Sequence, residues 1–208
     1  MNKDRIKVLV VDDHAIVRMG LVALLEAEGD ITVVGDAEDG AAAIRLATQL
    51  KPDVVILDLM MPVMDGVTAT RELRVKAPDA RVLVLTTSTV SDDLAHAMEA
   101  GACGIVPKSA ANASLLAAIR AVAAGEQAVA PEIRELISLD PPVPELTARQ
   151  REILDSVTRG LRNADIAREL GIAEDSVKEH LSAVFHKIGA SNRAEAIAIA
   201  LRKHLLKT

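Results

Sequence analysis

Short apolar runs alternate with helical patterns over the first 125 residues of this 208-residue chain. Five runs predict strands, at residues 7–11, 31–35, 54–57, 81–85 and 104–107. Apolar residues at three- and four-residue spacing predict helices at 14–28, 40–50, 66–77, 91–101 and 112–125. Because the strands are apolar almost without interruption, both faces of their sheet should be covered. We therefore expect a doubly wound α/β domain with five parallel strands.

The pattern changes after Gly125. The stretch "SLDPPVPE" (138–145) holds three prolines and is typical of a stiff linker. Beyond it, only helical patterns occur, and they are separated by glycines. The predicted organisation is an α/β domain over 1–125, a linker over 126–144 and a small all-α domain over 145–208.

Residues 163–189 contain two helical patterns joined by a short turn with Gly171, the layout of a helix–turn–helix. One face of the second helix should pack on the domain core, and the opposite face is free to enter a DNA major groove. The core face consists of Val177, Leu181, Val184 and Ile188, and the opposite face of Asp175, Lys178, Glu179, Ser182 and His186. The pattern alone leaves a plain helical bundle as an alternative.

Charge and composition narrow the choice of partners. Residues 1–125 carry 12 Lys and Arg against 17 Asp and Glu, whereas 145–208 carry 11 against 9, which indicates two domains with different partners. One Phe, no Trp and no Tyr argue against recognition of single-stranded nucleic acid by aromatic stacking. A single cysteine, Cys103, argues against a disulfide or a cysteine-rich zinc site. With no long apolar run and no signal-peptide pattern, a cytoplasmic protein without a membrane segment is expected.

Polar residues with complementary chemistry follow four of the predicted strands. They are Asp12 and Asp13 after the first strand, Asp58 after the third, Thr86 after the fourth and Lys108 after the fifth. Ligands of such folds bind at the carboxyl ends of the strands. Crowded carboxylates need a cation, and all-oxygen ligands suit Mg²⁺. One carboxylate can then serve as a nucleophile towards a phosphoryl group, with a hydroxyl and a lysine to bind its oxygens.

The motifs "LVVDDH" (9–14), "VVILDLMMPVMDG" (54–66), "VLVLTT" (82–87) and "VPKS" (106–109) resemble those of two-component receiver domains, which have a flavodoxin-like fold. The resemblance implies that Asp58 accepts a phosphoryl group from a histidine kinase. It implies Mg²⁺ binding by Asp13, Asp58 and the backbone carbonyl of Met60, with Asp12 acting through water. Thr86 and Lys108 would contact the phosphoryl oxygens, with Thr86 moving towards them on activation.

The fifth strand departs from that family's pattern. Many receivers carry Tyr or Phe as a rotamer switch before the lysine, whereas "GIVPK" has Ile105 there. An aromatic switch is therefore not expected. Haloacid-dehalogenase phosphatases also use a strand-end aspartate, but they need a carboxylate two residues later, and that residue is Met60. The protein is thus not expected to be an enzyme beyond taking up a phosphoryl group from donors and slowly losing it.

The segments "ELTARQREIL" (145–154), "RNADIARELGI" (162–172) and "DSVKEHLSAVFHKIGASNRAEA" (175–196) resemble the LuxR-type domain of NarL/FixJ-type regulators. The resemblance implies a recognition helix starting near Glu174 and a last helix, 193–205, that dimerises on DNA. Base contacts would be made by Lys178, Glu179 and Ser182. Phosphate contacts would be made by Thr147, Asn163, Ser176, Lys187 and Arg193.

Together these patterns predict a transcriptional response regulator that takes a phosphoryl group on Asp58 and binds double-stranded DNA as a homodimer. Its expected partners are a sensor histidine kinase and DNA, and its expected cofactor is Mg²⁺. The alternative is a DNA-binding regulator that does not depend on phosphorylation, whose receiver serves for dimerisation or sensing.

Overall fold

The structure, a computed structural model, describes residues 5–144 and 146–206 and divides into two compact units after Asp140. The predicted first residue of the helical domain, Glu145, lies outside the described residues.

The first unit is a parallel α/β sheet with helices on both faces. Its strands are β1 (Ile6–Val11), β2 (Ile31–Ala37), β3 (Val54–Leu57), β4 (Arg81–Thr86), β5 (Gly104–Pro107) and β6 (Ala128–Val129). Its helices are α1 (Ala15–Glu26), α2 (Gly40–Leu50), α3 (Gly66–Lys76), α4 (Ser91–Ala100), α5 (Asn112–Ala123) and α6 (Pro131–Leu139). All pairs of neighbouring strands are parallel, in the order β2-β1-β3-β4-β5-β6. The doubly wound fold is thereby confirmed.

Alternate residues of each central strand enter two separate cores. In β3, Val55 and Leu57 join the core that includes residues of α2, α3, α4 and α6. Val54 and Ile56 join the core that includes residues of α1 and α5. Burial on both faces explains why these strands are apolar at every position.

The sheet has six strands, so the prediction of five strands is wrong at its edge. β6 pairs with β5, with Val129 opposite Ile105. The helix α6 follows at once and buries Ile133 in the same core as α4. The segment predicted as a linker over 126–144 thus contributes a strand and a helix to the first unit, because Ile133, Leu136 and Ile137 form an apolar helix face.

The described residues of the second unit form four helices: α7 (Ala148–Thr158), α8 (Asn163–Leu170), α9 (Glu174–Ile188) and α10 (Arg193–Arg202). Gly171 ends α8 in the left-handed conformation, with φ of 65°, which suits glycine. The predicted helix–turn–helix layout is therefore present. Among the described residues, no helix is both long and apolar enough to span a membrane.

Candidate functional site

Carboxylates meet where β1 and β3 end. Val11 lies opposite Leu57 in the sheet, so the next residues, Asp12 and Asp58, are neighbours. Both side chains are buried, with Asp12 1% and Asp58 3% exposed, and Asp13 lies half-buried beside them. The structure brings together the three carboxylates that the sequence placed at this edge.

Lys108 reaches from the end of β5 to both buried carboxylates. Its Nζ lies 2.7 Å from Oδ2 of Asp58 and 2.7 Å from Oδ2 of Asp12. Burial disfavours the ammonium, but hydrogen bonds to Asp12 and Asp58 outweigh that effect and raise the pKa of Lys108. Burial raises the pKa of Asp58, although Lys108 and the backbone N–H of Met60 act in the opposite direction. The buried carboxylates of Asp12 and Asp58 therefore share one cation, the ammonium of Lys108.

The cluster has donors suited to a small divalent cation. Asp12, Asp13, His14 and Asp58 each offer one ligand atom, and these atoms lie within 4.8 Å of one another. Ligands on opposite sides of Mg²⁺ stand about 4.2 Å apart, since each bond is 2.0–2.1 Å long. The spacing and the three carboxylates therefore fit such an ion after a small adjustment.

His14 is a further neighbour of the site, and no motif in the sequence predicts a role for it. Its Nδ1 lies 2.7 Å from Oδ1 of Asp13, and its backbone N–H donates to Oδ1 of Asp12 over 2.9 Å. The residue directly follows the Asp12–Asp13 pair, so adjacency in the chain was the available signal. The backbone hydrogen bond fixes the orientation of the Asp12 carboxylate.

Thr86, the last residue of β4, is fully buried. β4 pairs with both β3 and β5, and the backbone N–H of Lys108 donates to the carbonyl of Thr86 over 2.8 Å. Its Oγ1 accepts a hydrogen bond from the backbone N–H of Ser88 over 2.9 Å. The hydroxyl is therefore engaged with the loop that leads into α4.

The loop after Asp58 depends on a close backbone approach at Gly66. A Cβ at this position would collide with the carbonyl oxygen of Asp58 and would lie 2.7 Å from Cα of Leu59. Gly66 also donates its N–H to the carbonyl of Leu59 over 2.9 Å. Met60 is 52% exposed, so the position that a phosphatase would fill with a carboxylate carries an apolar side chain facing solvent.

Ile105 is fully buried in the core that β6 and α6 complete. The backbone N–H of Ala130, just before α6, donates to the carbonyl of Ile105 over 3.0 Å. Ile133 of α6 and Leu94 of α4 belong to the same core. These elements enclose the aliphatic side chain of Ile105.

The helix α9 has the two faces that its sequence predicts. Val177, Leu181, Val184 and Ile188 are buried. The opposite residues, Asp175, Lys178, Glu179, Ser182 and His186, are all exposed. The ammonium of Lys178 lies 2.9 Å from Oδ1 of Asp175, which raises the pKa of Lys178. This cation is thus already paired with a carboxylate on its own helix.

The residues predicted to contact phosphates have different surroundings. Thr147 caps α7 and is exposed, whereas Asn163, Ser176, Lys187 and Arg193 are partly buried. The guanidinium of Arg193 donates to the carbonyl of Leu161 and to Oδ1 of Asn163. Arg193 therefore ties the start of α10 to the turn before α8, a structural role that its sequence context did not reveal.

Two family models match the chain. The response regulator receiver domain matches residues 8–120, and the luxR family of bacterial regulatory proteins matches residues 144–200. The transcriptional regulatory protein LiaR of Bacillus subtilis (strain 168) is 38% identical, over 97% of this chain and 99% of LiaR.

Solved structures give the same picture. The response regulator ChrA of a heme-sensing two-component system is 39% identical, with a TM-score of 0.59 over 97% of this chain and 99% of ChrA. A structure of two RcsB dimers bound to two parallel DNAs is 25% identical, with a TM-score of 0.68 over 96% of this chain and 99% of RcsB. Both similarities extend over the receiver and the helical unit.

Proposed function

Because the chain belongs to the transcriptional response regulators that join a receiver domain to a LuxR-family DNA-binding domain, we propose that Asp58 is its phosphoacceptor and that phosphorylation controls its binding to DNA. The observation that carries this proposal is the buried carboxylate of Asp58, which touches Lys108 beside Asp12 and Asp13. A sensor histidine kinase in the cytoplasm would be the donor.

The transfer needs a nucleophile and groups that accept negative charge. A carboxylate oxygen of Asp58 attacks the phosphorus while the bond to the donor histidine nitrogen breaks, and that nitrogen keeps the electron pair. Because the other ring nitrogen of the phosphohistidine carries a proton during the transfer, the products are an acyl phosphate on Asp58 and a neutral imidazole on the kinase. Lys108, already 2.7 Å from the carboxylate, would turn to the phosphoryl oxygens.

Mg²⁺ fits the acidic pocket, and when bound it would neutralise charge on the phosphoryl oxygens. Asp13, Asp58 and the carbonyl of Met60 would hold the ion, and Asp12 would support it through water. In the absence of the ion, Lys108 offsets the charge of Asp12 and Asp58.

Thr86 would couple the new phosphoryl group to a structural change elsewhere in the receiver. Its hydroxyl now accepts from the N–H of Ser88, and a move towards the phosphoryl oxygens would break that hydrogen bond. Ser88 also donates to Oδ2 of Asp93 in the first turn of α4 over 3.1 Å. A movement of Thr86 would therefore alter the contacts at the start of α4, and no aromatic residue at position 105 would be needed.

The exposed face of α9 would enter the major groove. Lys178, Glu179 and Ser182 would meet base edges, with Glu179 accepting from cytosine N4. Thr147, Asn163, Ser176, Lys187 and Arg193 would meet the phosphates. Since RcsB binds DNA as dimers, we expect this chain to pair on two half-sites as well.

Intact-mass measurement tests the proposed acceptor. The full chain is incubated with Mg²⁺ and a small acyl phosphate, and the same is done with Asp58→Asn. We expect an acid-labile adduct with the mass of one phosphoryl group on the wild type and none on the variant. Asp165→Asn, which changes an exposed carboxylate paired with Arg168, is the matched control and should still be modified. A wild type without an adduct would refute Asp58 as the acceptor.

A further inference from the structure

A single side chain, that of Gln150, joins two of the residues assigned to phosphate contacts. Its Oε1 accepts the backbone N–H of Thr147 over 3.0 Å and also lies 3.1 Å from the ammonium of Lys187. Gln150 lies in the first turn of α7, whereas Lys187 lies in the last turn of α9. The two helices are thus tied together by one buried amide oxygen.

Thr147 and Gln150 form a capping box at the start of α7, and Gln150 contacts Lys187 in addition. Thr147 accepts the N–H of Gln150 through Oγ1 over 3.2 Å, and Gln150 accepts the N–H of Thr147 in return. Such a reciprocal pair needs only one contact from the Gln150 side chain. The additional contact to Lys187 is not required for capping, so it has a separate consequence.

The contact with Gln150 holds the ammonium of Lys187 close to the start of α7. The first N–H groups of a helix favour a phosphate, and an ammonium beside them adds a positive charge. Lys187 has a long flexible side chain, and binding DNA removes much of its rotamer freedom. An amide oxygen that already holds its ammonium near Thr147 reduces what DNA binding must still order.

We propose that Gln150 is a positioning residue for the DNA backbone: it holds the ammonium of Lys187 against the capped start of α7, so that both contact the DNA backbone together. The proposal rests on the DNA contacts assigned above to Thr147 and Lys187. It adds a residue that does not itself touch DNA. Its loss should remove the contribution of Lys187 although the lysine is still present.

Salt dependence of binding to a 20-base-pair duplex of arbitrary sequence separates this role from simple destabilisation, because each phosphate contact contributes about one to the slope of log affinity against log salt. The full-length variants are Gln150→Leu, Lys187→Met and the double variant. Each single variant should lower the slope by about one. The double variant should bind no more weakly than Lys187→Met, since the two residues act as one unit.

Thermal unfolding checks that each variant is folded. If Gln150→Leu does not fold, Gln150→Asn keeps a polar amide but is one methylene too short to reach both donors, and the same loss of slope is expected. An unchanged slope for a folded Gln150 variant, or losses in affinity that multiply in the double variant, would overturn the positioning role alone. Failure of the wild type to bind any duplex would instead refute the DNA contacts themselves.

Discussion

The ammonium of Lys108 lies 2.7 Å from Oδ2 of Asp58 and equally close to Oδ2 of Asp12, so one cation serves two buried carboxylates. The pKa of Asp58 nevertheless stays above its ordinary value, because burial outweighs the hydrogen bond and charge of Lys108. The receiver thus holds a carboxylate whose charge the fold does not fully offset. We expect the stability of the protein, and the proposed metal binding and phosphoryl transfer, to depend on this imbalance.

Asp58→Asn should make the metal-free protein more stable at neutral pH. Below the ordinary pKa of about 3.9, the carboxyl is protonated in both the folded and the unfolded state and does not affect stability. As pH rises from that value through the raised pKa of the folded state, the carboxyl progressively destabilises the fold, and above the raised pKa the loss is complete. Lys108 keeps Asp12 as a partner in the variant. We expect a gain of roughly 1 kcal/mol near pH 7 that disappears near pH 4, measured by urea unfolding in EDTA. Asp36→Asn, at an exposed carboxylate bound to Arg18, is the control, and an equal gain there would contradict the prediction.

Mg²⁺ should stabilise the wild type through the same carboxylates. An ion that binds only the folded state adds about 2.7 kcal/mol at a concentration 100 times its dissociation constant. Thermal unfolding over a titration of MgCl₂, against NaCl of matched ionic strength, measures the effect. Asp13→Asn should remove most of it, whereas Asp165→Asn should leave it intact. Equal stabilisation of the two variants would mean that the ion acts elsewhere.

Ile105→Tyr should destabilise the receiver. Ile105 is fully buried under β6 and α6, and a larger ring there overpacks the core at a cost of about 1–3 kcal/mol. Ile105→Val, which only removes a methylene, should cost about 0.5–1.5 kcal/mol. Urea unfolding gives both values. A tyrosine variant as stable as the wild type would show that α6 leaves space for an aromatic switch.

Val63→Gly should stabilise the loop beside Asp58. Val63 has φ of 69°, and Met64 donates its N–H to the carbonyl of Pro62 over 2.7 Å, which makes a tight turn around a β-branched residue. The left-handed conformation costs an ordinary residue about 1–2 kcal/mol, and the greater chain entropy of glycine offsets part of the relief. We expect a net gain of about 0.5–1 kcal/mol, read from the urea midpoint at unchanged slope. Val75→Gly, at an exposed position in the last turn of α3, should instead lose about 0.3–0.5 kcal/mol, the difference in helix propensity between valine and glycine.

Strong periodic signals predicted most of the fold, because the strands and helices of the first unit each bury a long apolar face. The strand-end rule then brought Asp12, Asp13, Asp58 and Lys108 to one edge. β6 was not predicted because a strand of two residues shows no periodicity. α6 was not predicted because the prolines after Leu139 led to the interpretation of the whole segment as a linker. These errors share one cause, which is that short elements depend on the surface they pack against.

Contacts between side chains that are distant in the sequence were also not predicted. No sequence spacing shows that Gln150 meets Lys187, or that Arg193 binds the carbonyl of Leu161, since these residues come from different helices. The pairing of Lys178 with Asp175 does follow from their three-residue spacing on one helix. Local periodicity thus predicts which face of a helix is exposed, but not which of its charged groups are already engaged.

The coupling between Asp58 and DNA is tested most directly by one comparison of affinities. A duplex selected by the protein from a random-sequence pool is titrated with untreated wild type, with wild type treated with a phosphodonor, and with treated Asp58→Asn, all at one salt concentration. We expect phosphorylation to tighten binding by the 5- to 150-fold typical of coupled sites, with the variant remaining at the untreated level. Equal affinity in all three samples, with the phosphoryl group present on Asp58, would contradict phosphorylation control and identify a regulator that binds DNA regardless of its receiver.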